Sequence, residues 1–266
     1  MKDTLTLNNG VEIPRIGYGV YQIPPAHTVS CVSAALEVGY RSIDTAQVYD
    51  NEAEVGIAVR NSGLARSDVF VTTKIWGSGG YEDTRRSISA SIKRLGLGYV
   101  DLFLIHEPVG KYEETYRAME DALAAGEVRA IGVANFLGTT FEGLLRHCKV
   151  KPAVNQIETH PFRQQREMHT LCQKNGIALE AWSPLACGKN HIFTNAILTG
   201  IAATHGKTVA QVVLRWLYQR GIIVIPKSVH RERMIENLAI LDFSLTQDDM
   251  QKISTLDHGT SLFNWW

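Results

Sequence analysis

Short apolar runs that close on a polar side chain recur along this chain at intervals of one strand plus one helix, and this alternation most limits its possible folds. Ser42-Ile43-Asp44 is one such run, 69–74 ends on Lys74 and 100–106 ends on His106; Asn135, Gln156, Trp182 and Lys227 continue the series. The strand-like segments are 16–20, 41–46, 69–76, 100–106, 129–135, 154–158, 178–183 and 222–228. Helical patterns follow them at 26–39, 51–62, 81–97, 112–125, 138–148, 164–175, 194–220 and 231–241. Parallel strands need crossover connections, so the repeated unit predicts an α/β fold, a closed (β/α)8 TIM barrel with helices outside.

The ends of the pattern are also marked. An Asn-Gly pair tolerates the positive φ of tight turns, so Leu5-Thr6-Leu7, Asn8-Asn9-Gly10 and Val11-Glu12-Ile13 read as an N-terminal β-hairpin that plugs the barrel floor. Val209, Val212, Val213, Trp216 and Leu217 keep helical spacing behind Thr208 as a cap, with Gly221 as the stop. Thr246 and Asp249 frame an extra C-terminal helix. No linker or low-complexity tract interrupts the alternation, so residues 1–266 read as a single domain. Gly17-Tyr18-Gly19-Val20-Tyr21-Gln22 lacks a third glycine and opens no helix, which argues against a doubly wound dinucleotide fold.

A chain of 266 residues that is 45% hydrophobic can bury one large core. Acidic and basic residues balance at 27 each, so bulk charge predicts neither a nucleic-acid nor a membrane partner. No apolar run approaches the roughly 20 residues of a spanning helix, and Met1-Lys2-Asp3-Thr4-Leu5 lacks a signal core; a cytoplasmic monomer is expected. Cys31, Cys148, Cys172 and Cys187 have neither metal-ligand spacing nor the density of a disulfide scaffold, so they read as reduced structural thiols, with no metal expected.

In such a barrel the strand C-termini face the active site, so Asp44, Lys74 and His106 should converge, with Tyr49 reaching them from the loop after the second strand. Carbonyl reduction needs a hydride donor and an acid that protonates the developing alkoxide. Tyrosine, with an ordinary pKa of about 10, suits that role when a cation lowers it. Lys74 is the expected cation, Asp44 would orient it, and His106 would steer the substrate oxygen.

The segments Gly39-Tyr40-Arg41-Ser42-Ile43-Asp44-Thr45-Ala46, Tyr49-Asp50-Asn51-Glu52, Thr73-Lys74-Ile75-Trp76 and Ile225-Pro226-Lys227-Ser228 closely resemble aldo-keto reductases, and the likeness spans essentially the whole chain. Residues 17–25 and 44–49 look most like the bacterial 2,5-diketo-D-gluconate reductase and prostaglandin F synthase branches. The resemblance implies NADPH as cofactor, with NADH at lower affinity, and a small-molecule carbonyl as substrate. It makes Tyr49 the general acid, with Asp44, Lys74 and His106 as its partners. Asn135 and Gln156 would hold the nicotinamide carboxamide, Trp182 would stack on its ring, and Ser183 and Leu185 would line the diphosphate. Lys227, Ser228 and Arg233 match a clamp on the 2′-phosphate, Glu236 and Asn237 fall at the adenine, and Val20, Tyr21, Val229 and His230 complete the cofactor set with Asp44.

Tyr21, Tyr49, Trp76, His106 and Glu107 form the expected substrate-binding set, with the terminal aromatics as further pocket walls. Two positions depart from the family pattern. Ala134 stands before Asn135 where a serine is usual, and His106-Glu107-Pro108 stands where His-Trp-Pro is usual after the fourth strand, a carboxylate in place of a large apolar wall. Glu107 either turns into solvent to pair with a basic residue or enters the pocket, where its charge would disfavour anionic substrates. The reaction implied is reduction of aldehydes or ketones to alcohols. A nicotinamide-binding regulatory module with incidental turnover is the competing reading, and an intact Tyr49, Lys74 and His106 argues against it. Reduction of an activated carbon-carbon double bond would want an acid in place of the histidine, whereas here Glu107 follows His106.

Overall fold

The structure is a computed structural model that describes residues 3–76 and 79–263. Strands β1 (Thr4–Thr6) and β2 (Glu12–Pro14) form the antiparallel hairpin, with Gly10 at φ 84° in its turn. The parallel strands follow in chain order: β3 (Tyr18–Gly19), β4 (Ser42–Asp44), β5 (Phe70–Ile75), β6 (Val100–Ile105), β7 (Val128–Ala134), β8 (Val154–Glu158), β9 (Ala178–Trp182) and β10 (Ile223–Val224). Each pairs with its sequence neighbour, and the ring closes between its ends. Ile16 bridges Val224, Gly17 N–H donates to Val224 O at 2.8 Å, and Gly19 N–H donates to Pro226 O at 3.2 Å. The first and last strands are shorter than the segments 16–20 and 222–228 predict. Proline has no N–H to extend a ladder, and Pro226 ends the last one.

Helices α1 (Pro25–Val38), α2 (Glu52–Asn61), α3 (Gly80–Leu95), α4 (Tyr112–Ala124), α5 (Gly138–His147) and α6 (Arg166–Lys174) make the crossovers through β9. The predicted helical segment 194–220 is two helices, α7 (Ala196–His205) and α8 (Val209–Gln219). Gly206, at φ 60°, terminates the first, and a Thr208–Gln211 capping box starts the second. Then α9 (Arg231–Leu238) follows β10, and α10 (Gln247–Ser254) is the extra C-terminal helix, capped by Thr246 and Asp249 as expected. No helix of the described residues is long and apolar enough to cross a membrane.

Side chains two apart on a strand share a face, which explains how the barrel interior is graded. Phe70, Thr72 and Lys74 point inward on β5; Leu102 and Leu104 lead to His106 on β6; Val154, Gln156 and Glu158 do the same on β8. The lower members form an apolar layer, in which Leu7 and Ile13 of the hairpin pack against Phe70, Leu102, Leu104, Val154 and Ile223. The hairpin therefore plugs the floor with apolar side chains. The upper members are polar, and they surround the mouth.

Candidate active site

A cleft of about 1000 Å³ opens at the strand C-termini, and its walls include Asp44, Tyr49, Trp76, His106, Glu107, Asn135, Gln156, Trp182 and Lys227. A smaller cavity of about 420 Å³ lies at the floor. Of the charges facing it, Asp101 pairs with Arg129 at 2.7 Å and with Arg66 at 2.6 Å, Glu12 accepts from Thr4 and Thr6, and Arg41 donates to the carbonyls of Leu36 and Tyr40.

The four residues expected to converge do so. Lys74, 1% exposed, donates from Nζ to Asp44 Oδ1 at 2.5 Å and to Thr45 O at 3.0 Å. The same Nζ lies 5.1 Å from the Tyr49 ring centroid. Tyr49 ends a short 3₁₀ turn, Gln47–Tyr49, that lowers it from the loop after β4. His106 meets the Tyr49 ring edge-on at 5.7 Å and the Trp76 ring at 5.4 Å; Tyr21 covers Tyr49 from the other side at 5.0 Å.

Burial governs the protonation of this group. Loss of water pushes Tyr49 up to about 12, and although the Lys74 charge pulls it back, Asp44 raises it again. The expectation that Lys74 would bring the phenol below its ordinary value is thus corrected: the cation acts in the predicted direction, and desolvation outweighs it. Burial and then the Lys74 charge push His106 down to about 3, so the imidazole is neutral.

Glu180, which the sequence reading missed, lies beneath these groups. It is fully enclosed and accepts a hydrogen bond from Gln156 Nε2 at 2.5 Å, and the same nitrogen donates to Asp44 Oδ2 at 2.8 Å. Burial and the neighbouring Asp44 charge push its carboxyl above the usual carboxylate range. The signal was present in Ala178-Leu179-Glu180-Ala181-Trp182, a charge in the middle of an apolar strand and two positions below a mouth residue.

Asn135 adopts φ 63° at the end of β7, a left-handed conformation that asparagine tolerates better than most residues. Its Nδ2 donates to His106 O at 3.1 Å and to Glu107 Oε1, and its Oδ1 accepts from Trp182 Nε1 at 2.8 Å. Glu107 is 3% exposed and forms no ion pair among the described residues, which overturns the solvent-facing reading. Burial pushes its carboxyl up to about 8 against the lowering effect of the Asn135 bond. With its carboxyl raised to about 8 it is mostly protonated at neutral pH, which weakens the expected repulsion of anions there.

Of the other expected contacts, Tyr21, Ser183 and Leu185 line the cleft. Val20 is buried, with its N–H on Asp44 O and its carbonyl accepting from Asn51, and it is not part of the cleft wall. Ser228, Val229, His230, Arg233, Glu236 and Asn237 lie beyond Lys227, on the loop after β10 and on α9. Ser228 Oγ accepts from His230 N–H at 3.1 Å, and Glu236 accepts from Thr208 at 2.7 Å. Lys227 and Arg233 are exposed and form no ion pair among the described residues. The cysteines are free, as expected, but Cys187 is an exposed residue on the cleft wall, not a structural thiol. Of the terminal aromatics, Phe263 is buried with its ring 5.2 Å from that of Trp182, while Trp265 and Trp266 lie outside the described residues.

The mouth of this parallel barrel gathers a buried Lys–Asp ion pair, a phenol and an imidazole around one cleft. Residues 15–258 match the Aldo/keto reductase family, and the chain belongs to it; it is an oxidoreductase. It is 48% identical over 260 residues to a glyoxal reductase from Bacillus subtilis (strain 168), covering 97% of this chain and 94% of that protein. The crystal structure of an aldo/keto reductase from Brucella melitensis superposes with a TM-score of 0.93 at 46% identity, covering 97% of this chain and 98% of that one. A Bombyx mori aldo-keto reductase solved in complex with NADP gives 0.92 at 33% identity, covering 98% and 95%.

Proposed function

We propose that this chain reduces small aldehydes or ketones to alcohols with NADPH, Tyr49 supplying the proton. The observation that carries the reading is the juxtaposition of Asp44, the Tyr49 phenol and the neutral His106 on the wall of one cleft, with the buried Lys74 bonded to Asp44 and 5.1 Å from the Tyr49 ring.

The residues present fit the cofactor. Lys227 and Arg233 offer cations with no ion-pair partner among the described residues, as a 2′-phosphate would require. Gln156 spends its Nε2 on Asp44 and Glu180, and its Oε1 makes no hydrogen bond among the described residues, so it can accept from a carboxamide N–H. Trp182, held by Asn135 and Phe263, offers an aromatic face. Bound NADPH would supply the hydride.

The chain's own residues handle the oxygen. His106 Nδ1 is buried without a hydrogen-bond partner among the described residues, so the tautomer with its proton on Nε2 presents a donor to the cleft and avoids burying an idle N–H. That donor orients the carbonyl oxygen towards Tyr49. A phenol with a pKa of about 12 is fully protonated at neutral pH, and the ammonium beside it stabilises the phenolate as the proton leaves for the alkoxide. Asp44 keeps Lys74 charged, and Gln156 and Thr45 hold that pair in place.

Tyr49→Phe keeps the ring and removes the proton. Its kcat should fall by roughly 10² to 10⁴, the range for lost general acid catalysis, with NADPH affinity unchanged. Full activity in this variant would overturn the assignment of the acid.

A further inference from the structure

Among the described residues two carboxyl side chains, Asp44 and Glu107, line the cleft, and they differ in how they are engaged. Asp44 is tied to Lys74 and Gln156. The Glu107 carboxyl has one hydrogen-bond partner among the described residues, Asn135 Nδ2, which occupies Oε1. Carboxyls without a cation or several donors are seldom buried, because removing them from water costs several kcal/mol. Glu107 directly follows His106, so its Cα lies about 3.8 Å from that of the residue that orients the substrate oxygen. Strand alternation would turn its side chain away from the cleft; instead the chain leaves the strand here, with Val109 N–H closing a turn on Glu107 O at 2.8 Å, and the carboxyl stays on the cleft wall. Trp76, Tyr21 and Val48 line the same cleft.

We infer that Glu107 is a specificity residue whose second carboxyl oxygen binds a hydroxyl group carried by the substrate close to its carbonyl, so that hydroxyaldehydes and hydroxyketones are preferred over their alkyl counterparts. A hydroxyl both donates and accepts, so it satisfies Glu107 whether the carboxyl is protonated or ionised, and it requires no charge to be brought into the cleft. An alkyl substrate would leave that oxygen without its water and without a partner. The inference rests on the proposed carbonyl reduction and narrows its substrate class.

The test compares kcat/KM for glyceraldehyde and propanal, with NADPH, in the wild type, Glu107→Gln and Glu107→Leu. NADPH affinity is measured for each, because Glu107 touches Asn135. The quantity read is the glyceraldehyde-to-propanal ratio within each protein, which a general loss of activity leaves unchanged. The ratio should fall about tenfold in Glu107→Leu, the loss of one hydrogen bond to a desolvated group, mainly through a higher KM for glyceraldehyde. In Glu107→Gln, which keeps an acceptor for Asn135, it should fall by less. A ratio equal in all three proteins overturns the inference and leaves carbonyl reduction standing. If Glu107→Leu does not fold, Glu107→Gln decides alone, an unchanged ratio counting against the inference. If the wild type oxidises NADPH with neither aldehyde, the underlying function has failed instead.

Discussion

Tyr49 sits beside an ammonium, yet the loss of water around its phenol outweighs that charge and holds its pKa at about 12; the same loss, with the Lys74 charge added, holds His106 at about 3. Both are therefore neutral donors across the working pH range. Glu107 follows the same physics with a titration nearer neutrality, at about 8. The sign is that of an acid whose charged form is penalised: protonated below that value, it repels no anion, and ionised above it, it does. The ratio of kcat/KM for a keto acid to that for a neutral aldehyde should fall as pH rises from 7 to 9 in the wild type and stay flat in Glu107→Gln. Parallel profiles for the two proteins would show that Glu107 does not titrate at the substrate. Tyr49, His106 and Lys74 are common to both substrates, and the ratio cancels their titration. That Asp44, Tyr49, Lys74 and His106 meet at the strand ends was legible in the sequence because each closes an apolar run or follows one by a few residues. Their protonation was not, since it depends on how much water the assembled mouth excludes. The orientation of Glu107 was equally hidden: alternation points it outward, and only the turn after β6 brings it back.

Strand pairing explains the other gaps. Gln156 lies opposite Glu180 in the β8–β9 register, so one amide can join two acids from different strands; a single sequence does not contain that register. The helical segment 194–220 ran two helices together, although Thr208 already read as a cap, because an isolated glycine is tolerated inside a helical pattern; the φ of Gly206 makes it a terminus. The close approach of β7 to its neighbours was invisible for the same reason. A Cβ on Gly132 would lie 2.5 Å from Val154 O and 2.8 Å from Leu104 Cδ2, and the first of these is backbone that cannot rotate aside. Gly132→Ala should therefore cost about 1–3 kcal/mol through overpacking, read as a lower urea midpoint with unchanged m-value. Because Asn135 follows three residues later on the same strand end, NADPH affinity should weaken as well. A wild-type midpoint would mean that β7 and β8 stand further apart than described.

At the scale of the molecule, the hairpin closes one end of the barrel with apolar side chains, and the parallel strands deliver their polar termini to the other. That polarity was readable from the alternation alone, because every crossover returns the chain to the same end before the next strand begins. The family resemblance added the cofactor and the roles of individual residues; the fold itself supplies the reason why residues as distant as Asp44 and Lys227 share one cleft. The central claim is that this cleft turns over carbonyl compounds and does not merely hold a nicotinamide. It is tested most directly by following NADPH absorbance with glyoxal and simple aldehydes while quantifying the alcohol formed. The account predicts many turnovers per protein molecule, with one alcohol group produced for each NADPH consumed. Saturable NADPH binding with no carbonyl-dependent consumption would contradict it and leave a nicotinamide-binding module in its place.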